Sequence, residues 1–217
     1  MSAYIFDTET TGIASPELIS AAWLRIEDPV TLEVVEAFDQ LYRPEGMISL
    51  GAMAVHHIMD EDLEACPPAS TFSLPDDVEY LVGHNIDFDW QVAGRPEVRR
   101  IDTLCLCRAL WPDADAHSQS AMMYLLERDS ARDRLRDAHS AAADVELCRT
   151  ILRHIVSRLG VESWSGLWEA SESARIPTVM PFGKHKGVPI SEVPKDYKQW
   201  LLRQSDVDPY LVKALEA

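Results

Sequence analysis

The spacing of apolar and polar positions changes along the chain, and this change predicts the order of the secondary structure. Apolar runs at residues 4–9, 18–26 and 32–42 are separated by short turns, which predicts a meander of three antiparallel strands. Two further short strands are predicted at residues 79–83 and 99–101, each followed by a helical segment. Strands that alternate with helices indicate parallel strands added beside the meander.

Helical spacing dominates the second half of the chain. A long amphipathic helix is predicted between Ser140, a typical N-cap, and Gly160, a typical terminating residue. Its buried face is expected to carry the apolar residues that recur at helical spacing, Val145, Cys148, Leu152, Ile155 and Leu159. Shorter helices are expected at residues 49–56 with Ser49 as N-cap, from Asp60, from Asp87, at 103–110 with Asp102 as N-cap, and at 119–127, 196–202 and 208–215.

The predicted elements divide the chain into three stretches. Residues 1–160 predict an α/β domain, in which a mixed β-sheet of an antiparallel meander plus parallel strands is flanked by helices. Residues 161–178 predict a connector that contains a short packed helix, and residues 179–217 predict a small C-terminal α+β appendage. In that appendage Gly183 and Gly187 bracket three basic residues, a pattern typical of a tight hairpin.

Charge is distributed unevenly along the chain. The 217 residues carry a formal net charge of −16, and residues 1–160 alone hold 13 Arg against 28 Asp and Glu, a net charge of −15. Every lysine lies at or after Lys184. Because nucleic-acid affinity comes largely from neutralising phosphates, so acidic a domain attracts cations rather than nucleic acid at long range. Any action on nucleic acid therefore depends on metal ions, on local contacts or on the less acidic C-terminal residues.

The composition, with 47% hydrophobic and 26% charged residues, is ordinary for a soluble globular protein. No apolar run approaches the roughly 18 residues that a bilayer span requires, so no membrane partner is expected. The first residues lack the basic region and apolar core of a signal peptide, which predicts a cytoplasmic location. The four cysteines show neither zinc-site spacing nor a disulfide framework, and Cys105 and Cys107 are interpreted as structural.

Two acidic residues end the first predicted strand. Asp7 and Glu9 are two positions apart, so both side chains point to the same face of the strand. Two neighbouring carboxylates repel each other unless a cation lies between them, and hard divalent cations prefer carboxylate oxygens. The pair therefore indicates a metal site, with a solvated strand end as the alternative interpretation.

Two later segments carry further acidic residues and a histidine. Asp89 follows the fourth predicted strand, and His139 and Asp144 stand at the start of the long helix. If both were helical, His139 and Asp144 would lie about 140° apart around the axis, so His139 is placed in the turn before the helix. Four carboxylates and a histidine are the groups that a two-metal phosphodiesterase uses, with the histidine taking a proton from the attacking water.

The chain resembles the DEDDh family of 3′→5′ exonucleases in three motifs that follow the family's order: Asp7-Thr8-Glu9, His84-Asn85-x-x-Phe88-Asp89 and His139-x-x-x-x-Asp144. The resemblance covers residues 1 to about 160. It implies a ribonuclease-H-like core, two Mg²⁺ or Mn²⁺ ions, and hydrolysis of DNA from the 3′ end with release of 5′-mononucleotides. It also implies that His139 is the general base and that the metal ligands are Asp7, Glu9, Asp89 and Asp144.

Three residues are second-tier candidates for substrate contact: Thr10, His56 and Asn85. Residues 54–58 are like the family's Val-His-Gly-Ile segment, which lines the terminal nucleotide, but His57 replaces the glycine. For His56, an ordinary surface or core histidine is the alternative. His84 and Asn85 have a second interpretation as caps of the following helix that hold Asp89 in place.

Lys184 and Lys186 are the candidates for substrate contact in the C-terminal residues. They flank His185 in the predicted hairpin and are interpreted either as phosphate ligands or as part of a solvated turn. A dedicated basic contact would be especially useful beside so acidic a domain.

The sequence leaves three functional hypotheses. The leading one is a metal-dependent 3′→5′ exonuclease that acts on nucleic acid with a free 3′ end, with DNA favoured. The second keeps the chemistry but trims RNA, because a metal site recognises phosphate and not the 2′-OH. The third is a non-catalytic nucleic-acid-binding protein on a decayed exonuclease fold, which the presence of all five expected active-site residues argues against. The oligomeric state stays open.

Overall fold

A five-stranded mixed sheet lies at the centre of the computed structural model, which describes residues 2–136 and 138–217. Its strands are β1 (Ala3–Thr10), β2 (Leu18–Ile26), β3 (Val34–Leu41), β4 (Tyr80–Gly83) and β5 (Arg99–Asp102). Their order is β3-β2-β1-β4-β5. Strands β1, β2 and β3 pair antiparallel, whereas β4 runs parallel to β1 and β5 parallel to β4. The predicted combination of a meander and parallel strands is confirmed.

Strand β1 occupies the middle of the sheet because its apolar residues are covered on both faces. Tyr4, Ile5 and Phe6 are almost completely buried. Beyond them the strand carries Asp7 and Glu9, whose cross-strand partners on β2 are the small residues Ala22 and Ser20. Small neighbours leave space around both carboxylates, so the end of the central strand is open to a ligand.

The helices of the described residues are α1 (Leu50–His56), α2 (Ile86–Val92), α3 (Thr103–Leu110), α4 (Gln119–Leu126), α5 (Arg128–Arg134), α6 (Ala141–Leu159), α7 (Trp164–Ala174), α8 (Lys195–Leu201) and α9 (Pro209–Glu216). Short 3₁₀ segments are formed by Asp60–Leu63, Ala69–Thr71 and Ile190–Glu192. Helices α2 and α6 both pack against β1, and α6 also packs against β2. The central strand is therefore in contact with the two helices that carry the other acidic candidates.

The side chains predicted to cap three helices do so. Ser49, Asp102 and Ser140 each accept a hydrogen bond from a backbone N–H in the first turn of α1, α3 and α6. Helix α6 ends at Gly160, which has the left-handed conformation (φ 64°) expected of a terminating glycine. Local capping chemistry thus fixes where α6 begins, and with it the position of Asp144 in the first turn.

Two local predictions are wrong. The third strand begins at Val34 and not at residue 32, because Leu32 adopts a left-handed conformation (φ 51°) and is fully buried in a turn. Helix α5 was not predicted, since its charged sequence buries only Ala131 and therefore shows no amphipathic pattern.

The chain divides into two compact units, one ending at Ser171 and the other formed by Glu172–Ala217. The division falls within α7, which occupies much of the predicted connector; the assignment of residues 1–160, 161–178 and 179–217 to separate domains stays a prediction. The C-terminal unit has its own apolar core, formed by Met180, Ile190, Val193, Leu201, Leu211, Ala214 and Leu215.

The expected hairpin of the C-terminal unit is a short one. Val179 and Pro189 form an antiparallel bridge, and Met180 exchanges backbone hydrogen bonds with Val188 and Gly187. Elsewhere, no helix among residues 2–136 and 138–217 is both long enough and apolar enough to cross a membrane.

Candidate active site

Three carboxylates meet at the end of β1. Oxygen atoms of Asp7, Glu9 and Asp144 all lie within 4.8 Å of one another. Asp7 and Glu9 share a face because side chains alternate along a strand, and α6 delivers Asp144 because its first turn packs on that strand. Residues separated by more than 130 positions are thus brought together by the contact between β1 and α6.

Asp89 adds a fourth carboxylate to this cluster. It is 5% exposed, lies on α2, and its Oδ1 atom accepts hydrogen bonds from the backbone N (2.9 Å) and Oγ1 (2.7 Å) of Thr8. Its negative charge raises the pKa of both Asp7 and Glu9. The four acidic side chains, Asp7, Glu9, Asp89 and Asp144, are referred to below as the carboxylate cluster.

Burial and mutual repulsion make the carboxylate cluster unfavourable to ionise. Burial raises the pKa of Asp7 well above its usual value, and the charges of the other three acids add to the effect. For Glu9, burial followed by the charges of Asp144 and Asp89 raises the pKa to about 8. Burial also raises the pKa of Asp89 and of Asp144, although hydrogen bonds from Thr8 and His139 respectively oppose the rise. A cluster of this kind takes up protons or cations near neutral pH, and its all-oxygen donor set suits hard divalent metals.

His139 lies beside the carboxylate cluster, just before α6. Its backbone has a positive φ of 69°, and its N–H donates a hydrogen bond of 3.4 Å to Oδ1 of Asp144. The residue is exposed, so its imidazole can exchange protons with solvent. This is the turn position that the five-residue separation from Asp144 predicts.

A cavity of about 740 Å³ opens beside the cluster. Glu9 and Thr10 lie on one side of it, and the rest of the wall is largely apolar, with contributions from Ile13, Met47, Val55 and Phe88. Ile13 and Met47 are 90% and 83% exposed, although they are large apolar residues. An acidic site beside a mostly apolar cavity can hold an anionic ligand with a flat apolar part, provided that cations are present.

Two of the three second-tier candidates, Thr10 and His56, line this cavity. Thr10 donates from Oγ1 to the carbonyl of Gly12 at 3.1 Å. His56 accepts at Nδ1 from the backbone N–H of Ile58 (3.0 Å), so the neutral ring carries its hydrogen on Nε2. Burial lowers the pKa of His56, with a hydrogen bond to the Thr10 backbone partly offsetting the effect. The Nε2 atom itself is buried.

His57 occupies the position where the resembled family has glycine, and it keeps the backbone geometry of a glycine. Its φ of 61° is left-handed, and its N–H donates to the carbonyl of Met53 at 2.9 Å, which closes α1. Left-handed positions favour glycine but accept other residues at a modest energetic penalty. The substitution therefore leaves the preceding His56 in place.

Asn85 and His84 lie at the junction between β4 and α2. Asn85 is exposed and left-handed (φ 72°), its side chain makes no capping bond to α2, and it lies outside the residues that line the cavity. Its backbone N–H donates to Asp102 instead. Asn85 nevertheless occupies the N-cap position of α2. His84 contacts Thr103 Oγ1 at 3.0 Å and the His117 carbonyl at 2.7 Å, so neither side chain caps the helix, while substrate contact by Asn85 stays a prediction.

Lys184 and Lys186 belong to the C-terminal unit.

Thr8 and Phe88 line the cavity, although the sequence analysis assigned no role to either residue. Thr8 stands between two cluster residues on β1, and no local pattern in the sequence indicated its contact with Asp89. Phe88 precedes Asp89 on α2, which gave no indication that its side chain would line a cavity.

The arrangement of sheet and helices matches solved exonucleases. Exonuclease X in complex with 5′ overhanging duplex DNA aligns with a TM-score of 0.62 at 24% identity, over 78% of this chain and 99% of that one. Exonuclease I of E. coli, solved with a dA16 oligonucleotide, aligns with a TM-score of 0.58 at 16% identity, over 82% of this chain and 46% of that one. The nuclease domain of 3′hExo, a DEDDh family member bound to rAMP, gives 0.52 at 13% identity, over 72% and 92%. The fold is that of the ribonuclease-H-like exonucleases.

Similarity in sequence extends along nearly the whole chain. The chain is 28% identical to exodeoxyribonuclease 10 of Escherichia coli (strain K12) over an alignment 213 residues long that covers 93% of this chain and 91% of that protein. The counterpart from Escherichia coli O6:H1 matches equally well. These likenesses confirm the resemblance to the DEDDh exonucleases and the interpretation of the chain as an enzyme of the exonuclease class.

A protein-family profile matches only the C-terminal part. It is described as "Putative quorum-sensing-regulated virulence factor" and covers residues 173–208. These residues lie in the C-terminal unit, so the sequence pattern described by this profile belongs to that unit.

Proposed function

We propose that this protein is a two-metal 3′→5′ exonuclease that hydrolyses DNA from its 3′ end and releases 5′-mononucleotides. The observation that carries the proposal is the carboxylate cluster, three of whose members lie within 4.8 Å, beside a largely apolar cavity. The choice of DNA is supported by the relatives, which are named as exodeoxyribonucleases or were solved with DNA. The 3′→5′ direction rests on the resemblance of the three motifs to the DEDDh family.

The proposed ligands of two Mg²⁺ or Mn²⁺ ions are the four residues of the carboxylate cluster. The fit is supported by the donor set, which is all carboxylate, and by the raised pKa values of all four groups, which a cation would relieve. Bound divalent ions would supply Lewis-acid stabilisation of the charge that develops on phosphate and water oxygens. Thr8 holds one oxygen of Asp89 in place.

His139 is the proposed general base. It is exposed, precedes α6 directly, and is tied through its backbone N–H to Asp144 of the cluster. A neutral imidazole nitrogen can accept a proton from a water held at the cluster and pass it to solvent.

The cavity is the proposed place of the terminal nucleotide. Its apolar wall would contact the base and sugar faces, and its polar edge at Thr10 and His56 would orient the sugar. Asn85, outside the cavity, is retained as a candidate only for more distant parts of the strand.

The test is hydrolysis of single-stranded DNA and RNA labelled at the 5′ or the 3′ end, with Mg²⁺, Mn²⁺ or EDTA. A 3′→5′ exonuclease shortens the 5′-labelled DNA one nucleotide at a time and releases a labelled mononucleotide at once from 3′-labelled DNA. RNA shortened faster than DNA would replace DNA as the substrate. Binding of both strands with no cleavage under any metal would leave a non-catalytic nucleic-acid-binding protein and reject the proposal.

A further inference from the structure

The C-terminal unit has a row of aromatic rings that includes Tyr197, which packs against the apolar core, and ends at the surface. The ring centroids of His185 and Tyr197 are 4.6 Å apart, and those of Tyr197 and Trp200 are 5.5 Å apart. Trp200 stands at the end of the row, is 52% exposed, and is absent from the group of residues that forms this unit's core. Half of a tryptophan side chain is a large apolar surface to leave in water, so the row offers a contact surface.

A cavity of about 300 Å³ adjoins the aromatic row. It is lined by Lys184, His185, Pro194, Asp196, Tyr197 and Trp200, which come from the glycine-bracketed turn and from α8. The wall therefore combines three aromatic rings, one lysine and one carboxylate. This set of residues, together with Lys186, is called the aromatic–lysine pocket below.

Gly183 holds the lysine-bearing turn against α8. Its φ of 73° favours glycine, and a Cβ atom added there would lie 2.6 Å from the hydroxyl oxygen of Tyr197. Any other residue would have to displace the Tyr197 hydroxyl and adopt a backbone conformation that favours glycine. Lys184 is thus fixed beside the aromatic row by the backbone of the turn.

The charge of the unit supports an anionic partner. Residues 172–217 hold seven Lys and Arg against six Asp and Glu, a net charge of +1, whereas residues 1–171 carry −17. Among the residues that the structure describes, Lys184 and Lys186 are both exposed and form neither an ion pair nor a side-chain hydrogen bond. Two lysines without internal partners next to exposed rings can contact phosphates while bases stack on the rings.

We propose that the aromatic–lysine pocket binds single-stranded DNA, with one or two bases stacked on Trp200 and Tyr197 and with phosphates at Lys184 and Lys186. The choice of DNA rests on the proposed function, while the stacking and phosphate contacts rest on the pocket. Asp196 is the one acidic group of the wall and opposes the strand. The pocket supplies the local phosphate contact that a strongly acidic chain needs.

The test measures binding of a fluorescein-labelled oligo(dT) to the full chain in EDTA by fluorescence anisotropy, at several salt concentrations. Without metal there is no hydrolysis, and the carboxylate cluster repels phosphate, so the signal reports other surfaces. Lys184→Ala combined with Lys186→Ala should weaken binding and reduce the slope of log K against log salt by about 1.4, since each phosphate contact to a single strand contributes about 0.7.

Trp200→Ala should weaken binding about fivefold or more through lost stacking, and Trp200→Phe should retain most of the wild-type affinity. Asp196→Asn should strengthen binding.

Lys213→Ala is the matched control, because this lysine lies in the same unit but sits over the ring of Tyr210 on α9. It removes one positive charge where the double variant removes two, and it should change the salt slope by less than half as much as the double variant. An identical slope for the control and the double variant, or unchanged affinity in Trp200→Ala with unchanged circular dichroism, would overturn the proposal. Tighter binding of oligo(U) than of oligo(dT) would overturn the choice of DNA.

The assay separates this inference from the proposed function. A protein that binds oligo(dT) through the pocket but cleaves nothing with Mn²⁺ would keep the pocket and reject the exonuclease. If the protein cleaves DNA but the double variant binds oligo(dT) as the wild type does, the exonuclease proposal is kept and DNA binding by the pocket is rejected.

Discussion

One oxygen of Asp89 accepts both hydrogen bonds that Thr8 donates, at 2.9 Å from the backbone N and 2.7 Å from Oγ1. Thr8 belongs to β1 and Asp89 to α2, so the pair joins the central strand to a helix at the edge of the carboxylate cluster. Both bonds favour the charged form of Asp89 and partly offset the effect of burial on its pKa. Both bonds use Oδ1, so Thr8 makes no hydrogen bond to Oδ2 of Asp89.

Thr8→Val tests whether this pair supports metal binding. Valine keeps the shape of threonine but removes the Oγ1 donor, so the pKa of Asp89 should rise further and protons should compete better with the cation. Because a hydrogen bond to a charged group contributes about 1.5–3 kcal/mol, the Mn²⁺ concentration for half-maximal activity should rise about tenfold or more. The measurement is DNA hydrolysis as a function of Mn²⁺ concentration at fixed pH.

Thr8→Ser is the matched control for that experiment. Serine restores the hydroxyl donor while removing a methyl group, so its Mn²⁺ requirement should stay near that of the wild type. If valine and serine both behaved as threonine does, the Oγ1 bond would have no part in metal binding.

Replacing any member of the carboxylate cluster by alanine should abolish most hydrolysis. Metal-bound oxygens contribute several kcal/mol of transition-state stabilisation, so the loss of a ligand should lower turnover at least about 10³-fold. Asp87→Ala is the control, because Asp87 lies on α2 two residues from Asp89 but pairs with Arg100. Its turnover should stay within a few-fold of the wild type. A cluster variant with near-normal turnover would remove that residue from the metal site.

The strong predictions from sequence were those in which local chemistry and burial agree. Strand β2 was predicted from a largely apolar run, and the structure buries eight of its nine residues. Helix α6 was predicted from its apolar spacing between Ser140 and Gly160, and both residues cap it as expected. The motif that contains Asp7 and Glu9 pointed to a metal site because alternation on a strand is independent of the rest of the fold.

The weaker predictions depended on contacts between distant segments. No local pattern indicates that Thr8 donates to a residue 81 positions away, or that Asn85 leaves its helix uncapped while its backbone binds Asp102. Leu32 belonged to an apolar run, and only burial in a turn distinguishes it from a strand residue. Such features arise from tertiary packing, which a single sequence does not display.

The apo protein should lose stability as the pH rises through the neutral range. The pKa of Glu9 is raised to about 8 and that of Asp7 well above its usual value, so the folded state holds protons that the unfolded state releases near pH 4. Between about pH 4 and pH 8 the folded state therefore binds more protons than the unfolded state, and the free energy of unfolding falls as the pH increases. The melting temperature in EDTA should be lower at pH 8 than at pH 6.

Divalent metal should reverse this loss. At 100 times its dissociation constant a ligand contributes about 2.7 kcal/mol, which raises the melting temperature of a chain of this size by about 5–10 °C. The rise should be larger at pH 8 than at pH 6, because protons compete with the metal at lower pH. Asp7→Asn should flatten the dependence on pH in EDTA and diminish the response to Mn²⁺. Equal melting temperatures with and without Mn²⁺ at pH 8 would count against the metal site.

His139→Ala should separate proton transfer from metal binding. A positioned general base typically contributes 10²- to 10⁴-fold, so turnover at saturating Mn²⁺ should fall by about that factor. Because His139 is proposed to hold no metal, the rise in melting temperature with Mn²⁺ should stay the same as in the wild type. His154→Gln is the control, since this histidine lies on α6 but binds Glu127 (2.7 Å), and its turnover should change little. Undiminished turnover in His139→Ala would exclude this histidine from the reaction, whereas a lost response to Mn²⁺ would show that it supports the metal site instead.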